Sequence, residues 1–144
     1  MKIRKMQTED IETIYQMGSE SRAFTVSDMS TFWSKESLYQ WIINNKQDVL
    51  LVAEDGSKIM GFIMTQVHGP TGKATIENIY VDKLFRGRGI GLKLLKECLK
   101  CLKEKRVAYV CAMVKTENEP TLKFFESLGF KKGYNFAWME ADLQ

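Results

Sequence analysis

The sequence predicts an α/β domain built on a central, mixed and mostly antiparallel sheet with flanking helices. Three observations carry that reading. Residues 49–82 hold three strand-like runs separated by tight turns, the pattern of an antiparallel meander. Residues 74–114 then run strand, glycine-rich turn, amphipathic helix and apolar strand, the unit that joins two parallel strands. Helical stretches stand before the meander and after the parallel unit, giving the order β-α-α-β-β-β-α-β-α-β(β).

Each element has a local reason. Lys2 to Met6 alternates like a short strand. Thr8 or Asp10 can cap a helix running to about Met17, because both side chains accept from first-turn N–H groups. Residues 19–34 mix polar and aromatic side chains without a clear period. Ser34 opens a second helix, with Glu36 and Ser37 in its first turn and Leu38, Trp41 and Ile42 on one face, fading at Asn44-Asn45. Val49–Ala53 and Lys58–Val67 read as strands joined at Glu54-Asp55-Gly56-Ser57. His68-Gly69-Pro70-Thr71-Gly72 is a second turn, and Ala74–Asp82 a third strand. A strongly amphipathic helix runs from about Gly89 to Lys105. Val107–Val114 is almost wholly apolar, as expected of a buried strand of the parallel type. Asn118-Glu119-Pro120 starts the last helix with proline just inside it, and Gly129 ends it. Phe130–Leu143 supplies one or two closing strands, split near Gly133.

At 144 residues the chain makes one domain, spanning 1–144, with room for a sizeable core. Its 44% hydrophobic and 27% charged residues are ordinary for a folded protein. No stretch approaches membrane-spanning length, and residues 1–20 lack an apolar run of signal-peptide type. No membrane partner and a cytoplasmic location are therefore expected. A formal charge of +3 suits an anionic ligand but is too small to imply nucleic acid. Lys93, Lys96, Lys100, Lys103, Lys105 and Arg106 read as a solvated helix face. Cys98 and Cys101 form a C-x-x-C, but no second pair exists, Cys111 is isolated and His68 is the only histidine. No metal site is expected from that set. The paired thiols fall at helical spacing among Leu94, Leu95, Leu99 and Leu102, as buried free cysteines would.

The chemistry concentrates in Arg86-Gly87-Arg88-Gly89-Ile90-Gly91, between a strand and a helix. Glycines at alternating positions let backbone N–H groups converge on an anion, and the helix adds unpaired N–H groups and the positive end of its dipole. Arg86 and Arg88 add forked donors that suit phosphate oxygens. The spacing is neither a dinucleotide fingerprint, since Leu92 stands at its third glycine position, nor a nucleoside-triphosphate loop, since no Gly-Lys-Ser/Thr follows.

With Ile76-Glu77-Asn78-Ile79-Tyr80-Val81-Asp82 before this turn and Leu94-Leu95 after it, the segment resembles the acetyl-CoA-binding core of GNAT-superfamily N-acetyltransferases. Their signature Q/R-x-x-G-x-G/A is met by Arg86, Gly89 and Gly91, and Asn118 with Phe124-Phe125-Glu126-Ser127-Leu128-Gly129-Phe130 resembles their N…F-Y-E-x-x-G-F segment. The resemblance implies the GNAT fold, acetyl-CoA as cosubstrate without a metal, and acetyl transfer to a primary amine by direct attack on the thioester. It implies a cofactor site formed by Ile79, Tyr80, Val81, Arg86, Gly87, Arg88, Gly89, Ile90, Gly91, Asn118, Phe124 and Phe125.

Glu77 is the expected base, through a water, and strand alternation would place it on the face of Ile79 and Val81. Phe125 replaces the tyrosine that protonates the departing thiolate in many family members, so that role passes to Tyr134, first among Tyr80, Tyr109 and Tyr134, or to a water, or falls away because the thiolate is a tolerable leaving group. The acceptor groove is expected between residues 21–41 and 134–138, where Phe24, Phe32, Trp33, Tyr39, Phe136 and Trp138 could line a pocket or belong to the core. The acceptor stays open between a small-molecule amine and a peptide or protein amine. A non-catalytic acyl-CoA-binding domain of the same fold is the alternative. Homodimers are common among the proteins the chain resembles.

Overall fold

Two runs, residues 49–53 and 59–65, are buried at every position, so they need cover on both sides and take the middle of the sheet. The computed structural model describes residues 1–144. It contains β1 (Lys2–Lys5), α1 (Ile11–Glu20), α2 (Lys35–Asn44), β2 (Val49–Asp55), β3 (Lys58–His68), β4 (Lys73–Val81), α3 (Ile90–Glu104), β5 (Tyr109–Ala112) and α4 (Glu119–Glu126). The five strands lie in the order β1-β2-β3-β4-β5, all neighbours antiparallel except β4 and β5, which are parallel. This is the expected α/β architecture.

Each face of the sheet has its own core. On one side Leu51, Ile63 and Ile76 pack against Leu94, Leu95, Cys98 and Leu102 of α3 and Phe125 of α4. On the other, Leu50, Val52, Phe62 and Met64 pack against Ile14 and Met17 of α1 and Leu38 of α2. Ser34 caps α2 by accepting the Ser37 N–H at 3.0 Å. Cys98 is a buried free thiol 3.2 Å from the Thr65 hydroxyl, and Cys101 is half-buried. The six basic side chains of α3 and the turn after it are all exposed.

Three details differ from the sequence expectation. Asp10 does not cap α1, which runs on to Glu20. Instead a short 3-10 turn at Thr8–Asp10 precedes the helix, and the buried Asp10 carboxylate accepts the Gln7 N–H and both terminal nitrogens of Arg4, each at 2.8 Å. Arg4 also reaches Glu54 at 3.0 Å, so one guanidinium ties β1 to β2 and to the entry of α1. Second, no strand forms in residues 130–143: residues 131–144 are exposed and without regular structure. The alternation of Tyr134, Phe136 and Trp138 marks a strand-like face, but the spacing of side chains does not itself pair a segment with an edge. Here the Trp138 indole N–H donates to the Glu140 carboxylate at 2.9 Å instead. Third, and as a result, β5 is an edge strand. The run Val107–Val114 is only partly covered, with Tyr109 60% exposed.

Removing one partner of a buried ion pair leaves the other charge uncompensated. Arg4→Ala should therefore lower unfolding free energy by about 3 kcal/mol in urea titration, and Arg4→Lys should recover only part of that loss.

Candidate active site

The site begins with an irregularity in β4. Asn78 pairs with Met64 and Ile76 with Thr65, so Glu77 is an inserted residue, a β-bulge. The bulge resets the alternation of side chains. Ile76 and Ile79, an odd number of positions apart, both pack on the α3 side. Asn78 and Tyr80 lie on the other side, where the Trp33 indole donates to Asn78 Oδ1 at 2.8 Å and Tyr80 stacks on Phe62 at 5.9 Å.

Beyond the bulge β4 loses a neighbour. β5 pairs with it only from Lys73–Tyr109 to Ile76–Ala112, whereas β3 follows it to Val81. The Asp82 N–H bonds the Met60 carbonyl at 2.9 Å, which makes Tyr80–Phe62 the next hydrogen-bonded pair. Ile79 and Val81 therefore aim their backbone groups the other way, into the gap left by β5. The Val81 carbonyl in that gap accepts Arg86 Nε at 2.8 Å, and the Arg86 guanidinium lies 5.4 Å over the Tyr80 ring. Arg86 thus braces the strand end against the turn.

The turn then closes on α3. Gly87 and Gly89 have φ of 81° and 78°, the left-handed region that side chains with a Cβ rarely adopt. The first helical bond is from the Lys93 N–H to the Gly89 carbonyl, so the N–H groups of Ile90, Gly91 and Leu92 have no partner within the helix. Gly91 keeps the floor low: a Cβ there would lie 3.6 Å from both Val81 and the Phe124 ring. The result is an open cleft of about 250 Å³ lined by Val81, Phe85, Arg86, Gly87, Gly89, Ile90, Gly91, Leu92 and Phe124. Arg88 lies beside it, 5.5 Å over the Phe85 ring. Phe85 is a lining residue that sequence reasoning missed, and nothing in its spacing marks it.

The remaining expected residues divide. Phe124 lines the cleft, but Phe125 is 6% exposed and packs edge-on against Phe130 within the core. Asn118 caps α4, accepting the Thr121 N–H at 3.4 Å. Tyr134 stands 90% exposed in the C-terminal segment, with no hydrogen bond or ring contact. Phe24, Phe32 and Trp33 pack over Phe62, Tyr80 and Trp41 as part of the second core, whereas Tyr39, Phe136 and Trp138 are 43%, 89% and 51% exposed.

Glu77 is displaced from its expected face. Alternation fails at the bulge, and the carboxyl is held above the usual range by burial first and then by Asp48. Asp48 belongs to the α2 side, where its carboxylate accepts the Trp41 indole N–H at 2.7 Å and the Val67 N–H at 2.8 Å. Glu77 is itself the inserted residue, so alternation does not fix its face, and the influence of Asp48 draws its carboxyl toward the α2 side. No sequence signal pointed to Asp48, because its approach to Glu77 needs three strands in register.

A model of the acetyltransferase (GNAT) family matches residues 12–130. The chain belongs to that family. The ribosomal protein bS18-alanine N-acetyltransferase of Salmonella typhimurium is 30% identical over 127 residues, covering 88% of this chain and 78% of its own. Spermidine N(1)-acetyltransferase of Thermoplasma acidophilum is 27% identical over 144 residues, covering 91% of this chain and 88% of its own. The crystal structure of the PaiA N-acetyltransferase of Thermoplasma acidophilum in complex with coenzyme A superposes with a TM-score of 0.80 at 26% identity. That alignment covers 94% of this chain and 93% of the other. The GNAT chain described here shares with these proteins a domain-length match, not a motif alone.

The positive φ of Gly89 gives a direct test. A β-branched side chain forces the turn out of the left-handed region, at a cost of about 1–2 kcal/mol or a rearranged backbone. Gly89→Val should weaken coenzyme A binding by at least about tenfold in calorimetry. Its circular dichroism should match the parent.

Proposed function

We propose that this protein transfers an acetyl group from acetyl-CoA to a primary amine by direct attack of the amine on the thioester. The observation that carries the reading is the continuity of the cleft. The gap beside Ile79 and Val81 meets the glycine turn at Val81, which lines the cleft, so strand-like amide partners lead to a cradle of N–H groups. That sequence of partners suits a ligand with an extended, amide-bearing arm and a diphosphate, which is coenzyme A. The turn residues Gly87 to Gly91 bind the diphosphate, and Phe124 covers the arm. A free N–H of Ile79 or Val81 polarises the thioester carbonyl.

The acceptor approaches from the α1–α2 side. An alkyl ammonium titrates near ~10, so the amine must lose a proton before it attacks. Glu77 takes that proton through a water. Its raised pKa, caused by burial and Asp48, brings it nearer to the working pH and makes it a better base than an ordinary surface carboxylate. The amine nitrogen then forms the C–N bond, the C–S bond breaks, and the coenzyme leaves as a thiolate. A thiol pKa near ~8.5 makes that a tolerable leaving group without a side-chain acid. This fits a chain in which Phe125 replaces the family's tyrosine and Tyr134 lies outside the cleft.

The relatives named above act on a ribosomal-protein alanine and on spermidine, so both a peptide N-terminus and a polyamine belong in the acceptor class to be tested. Coenzyme A release measured with alanyl peptides, polyamines and amino sugars should show turnover with at least one. Tight coenzyme A binding without turnover on any of them would favour a non-catalytic acyl-CoA-binding domain, the reading that the Phe125 substitution supports.

Glu77→Gln should lower kcat/KM by about 100-fold, the lower end of the contribution of general base catalysis. The parent rate should climb with pH through a range above the ordinary carboxylate value, as Glu77 ionises; the variant should lose that limb. Stability should move the other way. A carboxyl whose folded pKa is raised favours the folded state when protonated, and that contribution is lost as pH rises through the folded pKa. Glu77→Gln should therefore leave Tm at pH 7 unchanged or higher, and a lower Tm would mark a merely structural role.

A further inference from the structure

Between α1 and α2 the chain crosses the aromatic side of the sheet without strand pairing, held there by a few side chains. The Phe32 ring takes the place that a Cβ on Gly18 would fill, and the Trp33 indole donates to Asn78 Oδ1 at 2.8 Å. Phe24 lies over β4, its ring 6.1 Å from that of Tyr80. A further tie comes from across the gap. Lys115, three residues beyond the end of β5, donates its ammonium to the Arg22 carbonyl at 2.7 Å and to the Thr25 hydroxyl at 3.2 Å. The turn it grips is also closed internally, since the Thr25 N–H and hydroxyl donate to the Arg22 carbonyl at 3.2 Å and 2.8 Å. By this point β4 and β5 have parted, their last pair being Ile76 and Ala112. Residues 22–25 therefore bridge two diverging strands on the α1–α2 side, with Phe24 resting on one and Lys115 reaching from the other.

We propose that Lys115 is a positioning residue for the acceptor: it latches residues 22–25 as a roof over the gap between β4 and β5, on the side from which the amine approaches. The inference rests on the acetyl-transfer reading given above. The partners of the ammonium are a main-chain carbonyl and a hydroxyl, 93 and 90 residues away in sequence, rather than a carboxylate. A charged donor makes such bonds roughly twice as strong as neutral ones. Because one partner is a main-chain carbonyl, the latch sets the position of the backbone itself. Past Phe24 the roof has little of its own to hold it, with Val26 and Met29 40% and 58% exposed. No hydrogen bond joins Lys115 to Val81, the glycine turn or Phe124, which line the coenzyme cleft on the other side of the sheet. Releasing the latch therefore loosens the acceptor opening and leaves the anion cradle as it is.

Lys115→Met removes the charge and the donors while keeping an unbranched side chain. It should raise the acceptor KM about tenfold, with kcat and calorimetric coenzyme A affinity within about threefold of the parent. Lys115→Arg, whose fork can bond the same carbonyl and hydroxyl, should restore most of the loss. Amide hydrogen exchange reads the latch without turnover. Residues 22–26 should exchange about tenfold faster in Lys115→Met than in the parent, and near the parent rate in Lys115→Arg. Unchanged exchange at 22–26 in Lys115→Met would overturn the proposal, as would an unchanged acceptor KM. A parent that binds coenzyme A but acetylates no amine would overturn the acetyl-transfer reading and this role with it. That outcome is told apart from failure of the latch alone, in which the parent turns over and the variant keeps its KM.

Discussion

Everything in the cleft depends on β4 having two neighbours for half its length and one for the rest. β3 accompanies it from Lys73 to Val81, whereas β5 leaves after Ile76. The parting frees the backbone groups of Ile79 and Val81 in the middle of a sheet, where such groups are normally consumed. It also opens the space above the glycine turn. The strand end that has lost β5 needs compensation, and β3 supplies it by close approach: a Cβ on Gly61 would stand 2.5 Å from the Tyr80 carbonyl. Stacking of Tyr80 on Phe62 and the Arg86 bond to Val81 secure the same stretch. The open strand is held rigid from behind.

The bulge at Glu77 divides the labour between the two sides of the sheet. Downstream of it, Ile79 and Val81 serve the cleft and the α3-side core, while Asn78 and Tyr80 anchor the aromatic layer under α1 and α2. Glu77 stands at the insertion itself, where burial and the charge of Asp48 hold its carboxyl above the usual range. One inserted residue thus separates the groups proposed to hold one reactant from the group proposed to activate the other.

Much of this was legible in the sequence, and the illegible part has a physical cause. The meander, the parallel unit, the glycine turn and the cap at Asn118 are set by local patterns, and each stands where its pattern placed it. Alternation also put Ile79 and Val81 on one face of β4, and both pack on the α3 side. It failed for Glu77 because a bulge is a property of two strands in register, invisible in one. The closing strands also failed: Tyr134, Phe136 and Trp138 have a strand's periodicity, but the spacing of side chains does not itself pair a segment with an edge. Asp10 was misread because its partners, Arg4 and the Gln7 N–H, compete with the helix start for the same carboxylate.

Cys98 has a use beyond packing. Its thiol is sealed between α3 and the sheet, bonded to Thr65, and burial pushes its pKa to about 11. In the native state neither water nor a thiol reagent reaches it, and Cys101 and Cys111 offer half-buried internal references on the same chain. Labelling at Cys98 therefore waits on α3 lifting from the strands. Its rate, followed by mass spectrometry, reports the opening free energy of the very helix whose first turn is the proposed anion cradle. The protein carries its own gauge of how firmly that cradle is seated.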